Sequence, residues 1–439
     1  MIRLLIRELI ESHGVNPANI FYIPLDYGGI KDVRLFEILK SIASAGSDEK
    51  YVFLDEASMY EDWALELKNA FDANIVYNGR LKIIATGSHS MDLAEAAEKL
   101  RGRQGELARE FNLGGNLLYT PLRFPEVVES ISKEVGRLFD ERIFRKAGKR
   151  FRMLKDLSRG IFSGELRELY GSYFATLSQL FDNYLIHGGY PKAVKEFYGL
   201  KSIDKGLYAD LAELLINDSR KAGLDTDILK ILLTDLVKPE RLSGILNLSS
   251  IELKNVRKDE LWKYLRYLTS TWAFFLSYSE RKDGKGEPNY QDREHLKLYV
   301  LDPFIFHALH SYINNISNPF EEAKRLTGRP EFQGLLVEST IASHLLLAQQ
   351  LFEHVPHVNY DRVLMYSARG GEASHEIDFV LCVNKDNEMH RFLVESKYRE
   401  QVRKTALPPG TIVLTKDLLE VDEGNKIVYI PVPIFLMLF

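Results

Sequence analysis

The stretch YVFLDE (Tyr51–Glu56) decides how the first third of this chain reads. Four apolar or aromatic residues run straight into two acids, with no polar alternation between them. Such a strand is buried on both faces, as in a parallel sheet covered by helices. At its carboxyl end an Asp can hold Mg²⁺ through water, and a following Glu can polarise an attacking water. The pattern alone is weak, because many buried strands end in an acid. LKIIATGSHS (Leu81–Ser90) strengthens it by placing Thr86 and Ser88 at the matching end, where polar groups would sense a γ-phosphate.

Outward from this pair, NIFYIPLD (Asn19–Asp26) and NLLYTPL (Asn116–Leu122) repeat the apolar run, with helical stretches near Asp62–Asp72 and Met91–Leu100 between them. Ile2, Leu5, Ile6, Leu9 and Ile10 fall at helical spacing, and Gly14 supplies a stop. The expectation is an α/β unit with four parallel strands near Ile20, Val52, Ile83 and Leu118.

The 439 residues correspond to about three domains. Hydrophobic residues make up 45% and charged residues 27%, which excludes wholesale disorder, collagen and a coiled-coil rod. With 57 Lys and Arg against 62 Asp and Glu, the net charge of −5 excludes a uniformly basic nucleic-acid coat but allows a local basic face. The one cysteine, Cys382, cannot form an internal disulfide and argues for a reducing cytoplasm. No apolar run is read as a membrane span, and Arg3, Arg7 and Glu8 argue against a signal peptide.

LDEAS (Leu54–Ser58), TGSHS-x-DL (Thr86–Leu93), L-x-GRxGE (Leu100–Glu106), TPLRFPEVVE (Thr120–Glu129) and NYLIHGGYPKAV (Asn183–Val194) occur in this order. Together they resemble AAA-type ATPases of archaea and bacteria that carry a C-terminal domain of uncharacterised function. The resemblance implies ATP and Mg²⁺ as ligands, with Asp55 on the metal, Glu56 as catalytic base and Thr86 or Ser88 as sensor. Arg103 would be an arginine finger acting across a subunit interface, which implies a homo-oligomer. One departure is large: G-x-x-x-x-G-K-[ST], whose backbone N–H groups cradle the phosphates, occurs nowhere in the chain. Gly284-Lys285-Gly286 is the nearest text, and MIRLLIRELIE looks like the helix that should follow the loop. A glycine-rich loop is therefore expected upstream of Met1, or recently lost. Without it, ATP binding should be poor.

The implied fold class is a parallel-sheet, P-loop-NTPase-like (AAA) core without the P-loop strand (1–128), a helical lid (129–217), a winged helix (218–302) and a mixed α/β, restriction-endonuclease-like domain (303–439). In the lid, Glu141–Gly160 has eight basic residues against two acids, either a solvated face or a phosphate-contacting patch. The winged helix is read from a stripe of Ile228, Leu232, Leu233 and Leu236, a second of Leu261, Tyr264, Leu265 and Leu268, and a hairpin around RKDGKGEPN. Lys254, Arg257, Lys258, Lys263 and Arg266 could make its third helix basic, although such modules also serve as plain protein contacts.

In the last part, EIDFVL followed by ESK resembles the PD-(D/E)xK nuclease pattern, with Ile377 in place of Pro. Asp378 and Glu395 on adjacent strands would hold Mg²⁺, and Lys397 would orient the water. Glu338 lies on an otherwise apolar helix stripe, a costly place unless a cation or hydrogen bond meets it. The four side chains are expected to converge. A purely structural role would instead pair Lys397 directly with Asp378 or Glu395 and leave no room for a metal. His187 reads as a loop residue, and Cys382 as part of an apolar strand without a base nearby. The leading expectation is an AAA-type ATPase with a nuclease-like C-terminal domain acting on DNA in the cytoplasm. The alternatives are a Mg²⁺-dependent endonuclease on an ATPase-like scaffold, or a non-enzymatic DNA-binding or assembly protein.

Overall fold

The computed structural model describes residues 2–30, 33–87, 100, 119–136, 146–242, 245–246, 258–281, 285–292, 296–352, 363–367, 376–399 and 407–439. It divides into two compact units, one spanning Met1–Leu118 and the other taking up Tyr119–Glu353 and Asn359–Phe439.

In the first unit, β1 (Ile20–Pro24), β2 (Lys50–Asp55) and β3 (Leu81–Ala85) form a parallel sheet in the order β1-β2-β3. Val52, Phe53 and Leu54 of the middle strand are fully buried, as their unbroken apolar run requires. The helices Leu35–Ser44 and Trp63–Asp72 close the core with Leu35, Leu39, Trp63 and Leu67 against Ile23, Val52 and Leu54. The expected strand near Leu118 lies outside the described residues. The predicted N-terminal helix forms over Ile2–Glu11, but only Ile2 of its stripe is buried and Leu4 is 67% exposed.

The second unit is built on a nine-stranded sheet. Its strands are β4 (Ile245–Leu246), β5 (Phe274–Ser279), β6 (Leu296–Val300), β7 (Leu364–Ser367), β8 (Ile377–Lys385), β9 (Glu388–Lys397), β10 (Ile412–Thr415), β11 (Glu420–Asp422) and β12 (Ile427–Pro431). They run in the order β11-β12-β10-β9-β8-β7-β5-β6-β4. β7, β8 and β9 form an antiparallel meander, after which β10 joins β9 in parallel and β12 joins β10 in parallel. The β8–β9 turn is made by Asp386 and Asn387, both in the left-handed region, as a tight two-residue hairpin demands.

β5 and β6 form the hairpin expected around the turn-rich segment, and β4 pairs with the far side of β6. β5 then pairs in parallel with β7, Tyr278 opposite Met365, so the expected boundary at 302/303 falls inside one sheet. The helix Pro330–Leu346 is pinned to β6 by Ser339, whose hydroxyl accepts from the Val300 N–H at 2.9 Å and donates to the Val300 carbonyl at 3.0 Å. Together with Ala348–Phe352 this helix gives one stretch, Pro330–Phe352, long and apolar enough to cross a membrane by length and composition, which the sequence reading passed over. It is largely buried, as a core helix is. Phe124, Val127 and Val128 join the same core, ahead of the expected boundary at 128/129, and so does the apolar segment Val432–Phe439.

Candidate functional site

In the first unit the parallel register aligns the carboxyl ends of the strands: Pro24 lies opposite Asp55, and Leu54 opposite Ala85. Thr86, one step beyond β3, donates its hydroxyl to Asp55 Oδ1 at 2.6 Å, and Tyr22 of β1 donates to Oδ2 at 2.6 Å. Burial alone would raise the Asp55 carboxyl. The Thr86 and Tyr22 hydroxyls and the Glu56 backbone N–H outweigh it and hold the acid below its usual value. Asp55 is thus a carboxylate held from both neighbouring strands. Glu56 follows in the left-handed conformation (φ 52°), an uncommon state for a non-glycine residue, and turns the chain sharply off the strand. The structure therefore brings Asp55, Glu56 and Thr86 together and adds Tyr22, which sequence reading missed. Its only signal was a phenol within an apolar strand. Ser88 and Arg103 lie outside the described residues.

These residues fit the metal-facing half of a nucleotide site. For the phosphate-facing half, the sequence has no G-x-x-x-x-G-K-[ST], and its nearest text is used otherwise. Gly286 donates its N–H to Glu280 at 3.2 Å, and a Cβ there would come within 2.8 Å of Cys382 Sγ, so this glycine serves packing.

In the second unit the β8–β9 ladder ends at Phe379 opposite Val394, and Asp378 and Glu395 are the next residues on the two strands. Ile377, Phe379 and Val394 are buried, which turns Asp378, Glu395 and Lys397 to the other face. Each acid is held by the opposite strand: Asp378 Oδ2 accepts from the Ser396 N–H at 2.9 Å, and Glu395 Oε2 accepts from the Asp378 N–H at 3.1 Å. Lys397 forms an ion pair with Glu395 Oε1. Glu338 is met as its stripe position requires, but by residues the sequence reading did not name. Lys297 Nζ and the Tyr299 hydroxyl, both on β6, each lie 3.4 Å from Glu338 Oε1.

Lys297 is the centre of the cluster. Its ammonium also lies 3.2 Å from Asp378 Oδ1 and 3.0 Å from Glu376 Oε1, with only 5% of the side chain exposed. Burial alone would lower it, but Tyr299, Glu338, Asp378 and Glu376 raise it well above the ordinary lysine value, so it stays charged. Burial and the Asp378 charge push Glu338 up to about 7 against Lys297 and Tyr299. The same two causes raise Glu395 against Lys397 and the Asp378 N–H. Glu338, Glu376 and Asp378 meet at Lys297, and Lys397 is paired directly with Glu395, the pairing expected of a structural role. No group of three or more metal-ligating side chains stands ready for an ion among the described residues. Lys297 escaped the sequence reading because it belongs to the hairpin, far from the motif.

Other positions are structural. His187 is the last residue of the helix Gly164–His187 and is fully buried, not a loop residue, because the following glycines fold it inward. Gly188 (φ 59°) would place a Cβ 1.9 Å from Asp302 Oδ1, and Gly189 one 1.8 Å from the Leu122 carbonyl oxygen. Only glycine allows Asp302 to accept from the Gly189 N–H at 2.7 Å and the Phe304 N–H at 2.8 Å. Cys382 is buried beside Met365 and Val380. In the helix Lys258–Ser270 the predicted stripe of Leu261, Tyr264, Leu265 and Leu268 is buried, and Lys263 and Arg266 are exposed. Lys254 and Arg257 lie outside the described residues. Of the basic run, Arg150 is partly buried and lowered to about 10, by burial first and by Arg123 second.

Residues 2–128 match the family model of an AAA domain, and residues 178–318 match that of a domain of unknown function (DUF8612). The second match crosses the expected boundaries at 217/218 and 302/303. No curated protein and no solved structure matches the chain.

Proposed function

We propose, from the AAA-type domain at residues 2–128, that this chain belongs to an ATPase-class protein whose C-terminal part, 303–439, is a PD-(D/E)xK nuclease-like domain acting on DNA. The AAA domain carries the coarse part of this reading, since such domains use nucleotide and Mg²⁺. The finer part rests on one observation: Asp378 and Glu395 each accept from a backbone N–H of the other's strand, Lys397 pairs with Glu395, and Lys297 reaches both Asp378 and Glu338. Two such carboxylates are an oxygen donor set suited to Mg²⁺, which is bound through one or two carboxylates plus water and phosphate oxygens. The ion would lower the pKa of a bound water, and Lys397 would orient it. The hairpin β5–β6 with β4 across it, following the helices Thr226–Leu236 and Lys258–Ser270, supports a winged helix as the DNA-facing element.

The test is conversion of supercoiled plasmid to nicked or linear forms in Mg²⁺, with and without ATP. Asp378→Ala should abolish it and leave the circular dichroism spectrum unchanged. Equal conversion by wild type and the variant would sink the nuclease reading. The direct Lys397–Glu395 pair favours a second reading, a DNA-binding or assembly protein that keeps the fold without the chemistry. A gel shift on duplex DNA with no cleavage in Mg²⁺ or Mn²⁺ would select it.

A further inference from the structure

Within the basic run Glu141–Gly160, residues 146–160 carry six basic side chains against one acid, Asp156. Most of this stretch is the helix Ala147–Leu157, which buries Phe151, Met153, Leu154 and Leu157 and exposes Arg152, with Arg159 exposed beyond its end. Arg150 is neither core nor open surface. It is partly buried, and its Nε is shut off from solvent and meets no acceptor. A buried charged donor without a partner is costly. Glu126 is the acid whose charge reaches it, and Arg123 already takes both oxygens of that acid. Arg123 Nη2 donates to Glu126 Oε1 at 2.6 Å, and the Arg123 backbone N–H donates to Oε2 at 2.7 Å. We propose that Arg150 and Arg123 form a seat for a phosphate group. The seat needs no metal ion and neither Asp378 nor Glu395, so it stands or falls apart from the nuclease reading.

Charge comes first. Two guanidiniums share one carboxylate, and Arg123 is close enough that its charge, after burial, is what lowers Arg150. One positive charge is left over at a place where water screens it poorly. Shape comes second. A guanidinium is a planar fork whose paired N–H donors match two oxygens of a phosphate, and it stays charged as it loses water. The nearby His344 adds no charge, because burial lowers it to about 4 and both its nitrogens are engaged. Its Nε2 accepts from the Phe124 N–H at 2.9 Å, and its Nδ1 donates to the Thr340 carbonyl at 2.7 Å. Attraction comes third. Lys146, Arg152 and Arg159 are exposed on the same stretch and give it a positive field that draws anions. A phosphodiester of a nucleic-acid strand and a small phosphate offer the seat the same oxygens.

The experiment titrates the full chain and its Arg150→Gln variant with two probes in EDTA: inorganic pyrophosphate by calorimetry, and a short fluorescein-labelled DNA duplex by fluorescence anisotropy. Arg150→Gln should bind at least one probe about tenfold more weakly or worse. Loss confined to pyrophosphate assigns the seat to a small phosphate, loss confined to DNA assigns it to a strand, and loss of both shows a seat open to either. Arg159→Gln, an exposed cation on the same stretch, should leave pyrophosphate binding unchanged and weaken DNA only slightly. Without probe, Arg150→Gln should melt at or above the wild-type temperature, because it removes a buried charge that no acid of the chain neutralises. Equal binding of both probes by wild type and Arg150→Gln overturns the seat, as does no binding of either by wild type. An equal loss in Arg159→Gln overturns it too, by showing a diffuse basic face. Should Arg150→Gln fail to fold, Arg150→Lys keeps the charge and breaks the fork, and its equal binding of both probes overturns the seat in the same way.

Discussion

Asp55 accepts a hydroxyl from each neighbouring strand, and this sets what its substitution partners should do. A carboxyl held below its usual value adds stability that is present above the unfolded value and lost as pH falls through the folded one. Thr86→Val should therefore cost roughly 1–2 kcal/mol at pH 7, measured by urea unfolding of the full chain, and much less in strong acid. Glu338 has the opposite sign. Its carboxyl is raised to about 7 from an ordinary 4.5, so its contribution is full below pH 4.5 and is lost as pH rises through 7. Glu338→Gln should melt higher than wild type at pH 8, by roughly 1–3 kcal/mol of stability, and lose that advantage at pH 4.5. An unchanged difference between the two pH values would show that Glu338 does not titrate in this range.

At the scale of elements, the junction of the helix Gly164–His187 with Asp302 and Leu122 is the tightest that the glycines reveal. The Leu122 N–H donates to the Gly189 carbonyl at 2.8 Å, and an added Cβ would collide with the returning Leu122 carbonyl. Gly189→Ala should cost about 3–5 kcal/mol, seen as a fall in the urea midpoint of the second unit. Gly199→Ala, on the exposed side of the helix Pro191–Leu200 with nothing within 4 Å, should instead stabilise by about 0.5–1 kcal/mol. Periodicity located the helices Ile2–Glu11 and Lys258–Ser270. It did not tell which stripes are covered: the one on Ile2–Glu11 formed its helix and left Leu5 and Ile10 exposed.

At the scale of the whole molecule, the hairpin and the C-terminal strands are one sheet, because β5 pairs with both β6 and β7. A fragment 303–439 would lack β4 to β6, expose the edge of β7, and leave Glu338, Asp378 and Glu376 without Lys297. It should be insoluble or unfolded by circular dichroism. A fragment 119–439, which follows the division between the compact units, should fold cooperatively. A soluble, folded 303–439 would show that the hairpin is an accessory to the sheet.

By itself the sequence determined what local pattern can determine. The unbroken apolar run of β2 means burial on both faces, Asp55 must end it, and alternation around Asp378 and Glu395 must turn both to one face. These follow from the period of a strand and need no knowledge of distant residues. The pairing of Asp386 and Asn387 as a hairpin turn was equally legible and was passed over. Only the tertiary structure decided what meets those side chains. Tyr22 reaches Asp55 across 33 residues and Lys297 reaches Asp378 across 81, through strand orders that no spacing encodes. A buried carboxylate demands a partner, and the sequence states that demand. Which chain segment supplies it depends on how the sheet is threaded, and the fold alone records that.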